Sequence, residues 1–281
     1  NVHGYPGGSV DETTFGRRFE GKVAIVTGAS TNPGIGRSSA RRLALEGASV
    51  VINARSEGQL RDTERALQSE GLSVVAVPGS ADDAATPARL VDTALEQFGR
   101  IDLLANTVGG APHPGSALDM DRAAFMDTVS LNTWPTLALI QETVRRGLGD
   151  DGGGAIVNIS SGSPKKTTPS MAAYAAAKAA LNALTRTLAN DLGRRGVRVN
   201  AVSPGLTKTT ATQSMWENDE GAGAGSHLLL GRLTEADDIG AAVAFLLSGD
   251  ARSITGVLID VDAGNHVSSG AWSPFQAQPD R

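Results

Sequence analysis

From Lys22 onward the chain repeats one pattern: a short run of β-branched and other apolar residues, a Gly-rich or polar turn, then an amphipathic stretch of helical length. The apolar runs predict strands over 22–27, 49–54, 72–77, 101–105, 155–160, 197–202 and 257–261. The stretches between them predict helices over 35–46, 56–70, 86–98, 121–146, 170–192 and 235–247. Ala24, Ile25 and Val26 are consecutive apolar positions, and so are Ile156 and Val157 beside Ile159. Strands covered on both faces read this way, whereas half-solvated strands alternate. Buried strands alternating with helices imply right-handed crossovers and a parallel sheet. The expected fold is α/β: a single domain over 21–265, built on a doubly wound seven-stranded parallel sheet with helices on both faces. Residues 1–20 read as an irregular arm. Two segments break the rhythm. One is 206–228, with Met215-Trp216 and the Gly/Ala run 222–226; the other is the tail 266–281, with Trp272 and Phe275.

Composition narrows the function classes. The 281 residues carry 25 Lys and Arg against 30 Asp and Glu, a net charge of −5, with 4% aromatic residues. A mildly acidic chain poor in aromatics lacks the positive face and stacking platforms of a nucleic-acid binder. There is no cysteine, which excludes disulfides, thiolate metal sites and a Cys nucleophile. The four histidines (His3, His113, His227 and His266) are dispersed and show no metal-ligand spacing. No apolar run approaches the ~18 residues of a membrane span. Residues 1–8 lack the charged head and apolar stretch of a signal peptide, so a cytoplasmic location is expected. The glycosylation triplet Asn158-Ile159-Ser160 falls inside an expected strand and reads as a chance match.

The first strand runs into Thr27-Gly28-Ala29-Ser30-Thr31-Asn32-Pro33-Gly34-Ile35-Gly36, and a helix follows. Glycines let the backbone turn tightly and approach a pyrophosphate, while the helix start offers free N–H groups and a positive dipole end. In this setting the turn predicts a Rossmann-type dinucleotide site formed by Gly28, Ser30, Thr31, Gly34, Ile35 and Gly36. An NAD site places an acid at the end of the second strand, on the ribose hydroxyls. Here that strand ends Asn53-Ala54, followed by Arg55 and Ser56. An arginine pairs with a 2′-phosphate that a carboxylate would repel. NADP(H) is therefore favoured, with NAD(H) as the alternative.

The fifth strand leads to Ser160-Ser161, and Tyr174 and Lys178 lie four apart on the following helix, on one face. A neighbouring ammonium stabilises phenolate, which predicts a lowered tyrosine pKa. Such a phenol exchanges a proton with a carbonyl or alcohol oxygen, and a serine across the pocket holds that oxygen.

Together these motifs make the sequence resemble the short-chain dehydrogenase/reductase family over about 21–265. The resemblance rests on Thr27-Gly28…Gly34-Ile35-Gly36, Asn106-Thr107-Val108-Gly109, Asn132, Ser161, Tyr174-x-x-x-Lys178 and Asn200-Ala-Val-Ser-Pro204-Gly205. It implies a catalytic tetrad of Asn132, Ser161, Tyr174 and Lys178. Tyr174 would be the acid/base and Ser161 would orient the carbonyl. Lys178 would bind nicotinamide ribose, and Asn132 would anchor a water. The resemblance also implies cofactor contacts at Asn106, Gly109, Pro204, Gly205 and Thr207, and at Ser80 and Ala81 beside the adenine. The family's thirteen-residue spacing to the tyrosine selects Ser161 over Ser160. A homodimer or homotetramer is implied as well.

The chain departs from the family pattern in three places. Five residues separate Gly28 from Gly34 where three are usual, Ser80 replaces an Asp, and Thr107 replaces an Asn. The related enoyl reductases would place their tyrosine at position 171, which is Met171.

Ser163 and Trp216 are expected substrate contacts beside Ser161 and Tyr174, with 206–228 as a substrate lid in which Trp216 either faces substrate or anchors the lid. Lys165 and Lys166 read as a solvated turn or as a handle for an acidic substrate. His113 reads as an exposed loop residue or a substrate contact. The expected activity is NADP(H)-dependent reduction of a carbonyl, of small-molecule, 3-oxoacyl-thioester or polyketide type. An NAD-dependent alcohol dehydrogenase and a non-catalytic dinucleotide sensor are the alternatives.

Overall fold

The computed structural model describes residues 16–150, 152–166, 168–217 and 224–267. Seven strands form one parallel sheet: β1 (Val23–Val26), β2 (Ser49–Ala54), β3 (Val74–Pro78), β4 (Leu103–Asn106), β5 (Gly154–Ile159), β6 (Val197–Pro204) and β7 (Leu258–Val261). Their spatial order is β3-β2-β1-β4-β5-β6-β7. Among the described residues six α-helices alternate with them: α1 (Ile35–Leu45), α2 (Glu57–Ser69), α3 (Thr86–Phe98), α4 (Arg122–Arg145), α5 (Ala172–Leu192) and α6 (Ala236–Leu247). The expected α/β, doubly wound, seven-stranded sheet is thus present.

Strand periodicity divides the apolar residues between two cores. On β1, Ala24 and Val26 face a core shared with Leu43 of α1, Leu60 of α2 and Val243 of α6. Val23 and Ile25 point the other way, into a core with Leu90 of α3, Ile140 of α4 and Leu192 of α5. Successive strand side chains leave opposite faces, so the middle of each central strand is apolar on both faces, and the polar residues it carries, such as Asn106 and Asn158, are buried and hydrogen-bonded. Pro78 is tolerated because β3 lies at the sheet edge, where a missing N–H breaks no central ladder. Helix ends follow local chemistry. Asp121 caps α4 through the Ala124 N–H at 2.8 Å, and Gly99 closes α3 at φ +78°.

The chain winds β1-β2-β3 outward, then crosses back to β4 on the other side of β1. At such a reversal the strand ends open a crevice, where ligands of doubly wound sheets bind. The glycine turn leaves β1 on one side of it, and Asn106-Thr107-Val108-Gly109 leaves β4 on the other.

The segments outside the alternation are more ordered than expected where they are described. Residues 16–20 form a docked turn: Phe19 is buried, its N–H donates to the Glu46 carbonyl at 2.9 Å, and Arg18 pairs with Glu46. Residues 1–15, 218–223 and 268–281 lie outside the described residues, including Ala222, Trp272 and Phe275. Among the described residues no helix is long and apolar enough to cross a membrane.

Candidate active site

The glycine turn is shaped by close backbone approach. Gly28 sits at φ +65°, and a Cβ there would lie 2.7 Å from Thr107 Oγ1. A Cβ on Gly36 would meet the Gly28 carbonyl, and one on Gly34 the carbonyl and hydroxyl of Thr31. Gly34 is the N-cap of α1 and supplies no capping side chain, so the first-turn N–H groups stay uncapped by any side chain. That is the arrangement a pyrophosphate needs. Thr107 staples the two walls of the crevice. Its N–H donates to Thr27 Oγ1 at 3.0 Å, and its hydroxyl donates to the Thr27 carbonyl at 2.5 Å. The replacement of asparagine by Thr107 therefore has a structural use.

At the end of β2, Arg55 and Ser56 are exposed, and among the described residues no hydrogen bond or ion pair engages the Arg55 guanidinium. Asn53 turns inward and donates to the Val77 and Gly79 carbonyls at 2.9 and 3.1 Å, bracing the loop that carries Ser80 and Ala81. Ala81, Thr27, Asn53, Asn106 and Val108 line one narrow pocket in the crevice. The Asn106 side chain does not face that pocket as a free donor. Its amide donates to Asn158 Oδ1 at 2.9 Å, and Asn158 donates to Thr185 Oγ1 at 3.0 Å. This buried chain ties β4 to β5 and α5, and it leaves Asn158 fully buried within its triplet.

The two serines after β5 have different duties. Ser160 points into the α5 side and donates to Asn182 Oδ1 at 2.5 Å. Ser161, one residue on, lies close enough to Tyr174 to favour its phenolate. Ser161 Oγ also accepts the Ser163 N–H at 3.1 Å and lies 3.0 Å from Ser163 Oγ. Tyr174 and Lys178 stand one turn apart on α5, with the ammonium 5.6 Å from the ring centre. Lys178 is 2% exposed and donates to the Ile159 carbonyl at 2.9 Å. Gly109 closes over it: a Cβ there would lie 2.8 Å from Lys178 Nζ and 2.6 Å from Asn132 Oδ1. Asn132 holds that loop from both sides, accepting the Gly110 N–H at 3.1 Å and donating to the Gly110 carbonyl at 2.8 Å. The structure thus brings together Asn132, Ser161, Tyr174, Lys178, Gly109 and Ser163.

The electrostatics differ from the sequence expectation in one respect. Burial drives Lys178 down to about 8, with no carboxylate among the described residues to compensate its charge. Burial also pushes the Tyr174 phenol above its ordinary value, and the neighbouring Ser161 hydroxyl offsets only part of this. The expected lowering by Lys178 is not seen. The ammonium lies 5.6 Å from the ring centre, and desolvation of the phenolate is the largest influence on the phenol.

Other candidates fall into place around this group. Gly205 packs against Asp262, and the Thr207 hydroxyl donates back to the Gly205 carbonyl at 3.1 Å, bracing the turn after Pro204. Trp216 is partly buried, and its indole N–H donates to the Thr209 carbonyl at 3.3 Å, so it anchors its own segment. Lys165 pairs with Asp260 at 2.5 Å, and Lys166 donates to Asn265 Oδ1 at 2.9 Å. Both lysines clasp the C-terminal segment instead of lying free at the cleft. His113 pairs with Asp127 at 2.7 Å on the surface.

A switch-point crevice with an uncapped helix start, next to a tyrosine, serine and buried lysine, defines the site of an NAD(P)-dependent oxidoreductase acting between carbonyl and alcohol. A family model described as enoyl-(acyl carrier protein) reductase matches residues 28–266. The chain is 37% identical over 253 residues to dehydrogenase/reductase SDR family member 4 of Caenorhabditis elegans, covering 88% of this chain and 96% of that one. It is 34% identical over 251 residues to tropinone reductase-like 3 of Erythroxylum coca, covering 89% and 95%. The solved structure of a short-chain type dehydrogenase/reductase from Mycobacterium ulcerans superposes with a TM-score of 0.83 at 30% identity, covering 89% of this chain and 91% of that one. The chain belongs to the short-chain dehydrogenase/reductase family.

Proposed function

We propose that the protein is an NADP(H)-dependent ketoreductase. The observation that carries this reading is the gathering of Ser161, Tyr174 and the buried Lys178 at the carboxyl ends of the central strands, with the Lys178 ammonium 5.6 Å from the Tyr174 ring centre. When bound, the reduced nicotinamide supplies hydride to the carbonyl carbon. Tyr174 holds the proton destined for the carbonyl oxygen. Its raised pKa keeps it protonated at neutral pH, which suits donation to a ketone. Ser161 donates a hydrogen bond to the same oxygen as charge develops there. Lys178, charged below about 8, stabilises the tyrosinate left behind and holds the nicotinamide ribose. Asn132 and Gly109 keep the β4–α4 loop over that lysine.

The nucleotide is held by the Gly28–Gly36 turn, with Ser30, Thr31, Gly34, Ile35 and Gly36 at the pyrophosphate. Ser80, Ala81 and the Asn106 backbone line the floor, and Pro204, Gly205 and Thr207 lie against the nicotinamide. Arg55 and Ser56 receive the 2′-phosphate. The exposed guanidinium, without a partner among the described residues, supports NADP(H) over NAD(H).

The substrate is a ketone of 3-oxoacyl-thioester or polyketide type, contacted by Ser161, Ser163 and Tyr174. With Lys165 and Lys166 engaged on Asp260 and Asn265, recognition does not depend on an acidic handle at that turn. The tyrosine's place at 174, with Met171 at 171, supports carbonyl reduction over reduction of a carbon–carbon double bond. Two copies associate through the exposed face that carries Phe125, Met126 and Trp134 on α4 beside the alanine-rich face of α5. A panel of ketones, including a 3-oxoacyl thioester and an enone, assayed with NADPH and NADH at the nicotinamide absorbance tests the reading. Ketone-dependent oxidation of NADPH is expected. No oxidation of either nucleotide, or turnover of the enone double bond alone, overturns it.

A further inference from the structure

The glycine turn carries Asn32 and Pro33 as additional residues, and both are exposed. The Pro33 carbonyl nonetheless accepts two hydrogen bonds from a single distant residue. Thr210 donates its N–H at 2.9 Å and its hydroxyl at 3.1 Å. Thr210 opens the short 3-10 helix Thr210–Met215. That helix is braced at its start by reciprocal bonds between Thr209 and Thr212. At its far end the Trp216 indole N–H returns to the Thr209 carbonyl at 3.3 Å. A self-braced unit on the substrate side is therefore pinned to the nucleotide side, one peptide before Gly34 and the uncapped start of α1.

We propose that Thr210 is a positioning residue that couples nucleotide binding to the segment 210–217, a proposal that rests on the nucleotide reading above. A pyrophosphate drawn to the first-turn N–H groups of α1 fixes the Pro33–Gly34 peptide. The fixed carbonyl holds Thr210, and through it the braced turn that carries Trp216. By linkage, ordering of that turn tightens the grip on the nucleotide by the same factor. Thr210 touches no reacting atom in this role and acts through Pro33.

The test is amide hydrogen exchange with 2′-phospho-ADP-ribose, and with ADP-ribose in parallel. Both fragments carry the pyrophosphate and no nicotinamide, so protection of 212–217 cannot come from nicotinamide contacts, and the Thr210 variants decide whether it passes through the glycine turn. Thr210→Pro removes both donors at the first position of the helix, where proline is tolerated. The preceding Thr209 is already extended at φ −139° and ψ 163°, as a residue before proline should be. Thr210→Ser keeps both donors, and Thr210→Val keeps only the N–H. In wild type and Thr210→Ser, fragment binding should slow exchange at 28–36 and also at 212–217, the latter by roughly 5-fold or more. Thr210→Pro should keep the protection at 28–36 and lose it at 212–217. Thr210→Val should fall between, and it carries the test should the proline variant fail to fold. Unchanged protection at 212–217 in Thr210→Pro and Thr210→Val, or no response there in wild type, overturns the coupling. Absence of protection at 28–36 with both fragments overturns the nucleotide reading, and the coupling with it.

Discussion

Buried charge occurs at both ends of the parallel sheet, and the two ends treat it in opposite ways. At the amino end, Asp102 is almost fully buried and saturated. It receives Arg100 at 2.6 Å, Lys22 at 3.0 Å and the Val23 N–H at 3.0 Å. Glu46 is likewise buried between Arg18 and Arg42, each at 2.5 Å. Burial alone would raise both carboxylates, but their hydrogen bonds and neighbouring cations bring them below the ordinary range. At the carboxyl end, Lys178 is just as buried and, among the described residues, has one carbonyl and no carboxylate. Its pKa falls to about 8, and the neighbouring phenol rises. Paired buried charge holds the fold together, whereas unpaired buried charge costs stability and is retained where chemistry needs it.

Substitutions at the two ends should therefore have opposite signs. Lys178→Met removes the uncompensated cation. Carbonyl reduction should fall by roughly 10²-fold or more. The folded state should gain about 3 kcal/mol at neutral pH, from the shift between 10.5 and about 8. The pH dependence has a definite sign. A depressed lysine pKa penalises the wild-type fold fully below about 8, and the penalty disappears as pH rises to the unfolded value of 10.5. Urea denaturation of both proteins at several pH values should show the stability gap closing across that window. A variant less stable than wild type at pH 7 would break the comparison.

Asp102→Ala should do the reverse. It strands the Val23 N–H and two cations, and it should cost roughly 3–5 kcal/mol in the same denaturation experiment. The rate constant at a temperature where the variant is folded should stay near wild type. A smaller effect is expected at the exposed edge of the site. Arg55→Asp should lower the NADPH-to-NADH preference by roughly 10-fold or more in kcat/KM, since a charge-assisted phosphate contact becomes a repulsion. An unchanged ratio would remove Arg55 from the account.

The carboxyl end also shows what could be read from the sequence and what could not. Strand and helix positions follow from short-range periodicity. The predicted 49–54 and 86–98 coincide with β2 and α3, and the other elements differ by a few residues at their ends. Tyr174 and Lys178 were legible because a spacing of four on a helix dictates a shared face. Ser161 was distinguished from Ser160 only through the family spacing, although the structure separates them plainly by the bond from Ser160 to Asn182. The partners of Asn106, Lys165, Lys166 and Thr210 lie 52, 95, 99 and 177 residues away, and no local pattern encodes them. The direction of the Tyr174 shift was missed for a physical reason. Pairwise charge reasoning leaves out desolvation, which dominates for a phenol packed inside the cleft.

The most direct test of the account is Tyr174→Phe, with NADPH oxidation and NADPH binding measured side by side on a ketone that wild type reduces. Loss of the phenol proton should lower turnover by roughly 10²–10⁴-fold while the nucleotide Kd stays near wild type. Turnover close to wild type in that variant would contradict the assignment of Tyr174 as the proton donor and, with it, the reading of this cleft as a carbonyl-reducing site.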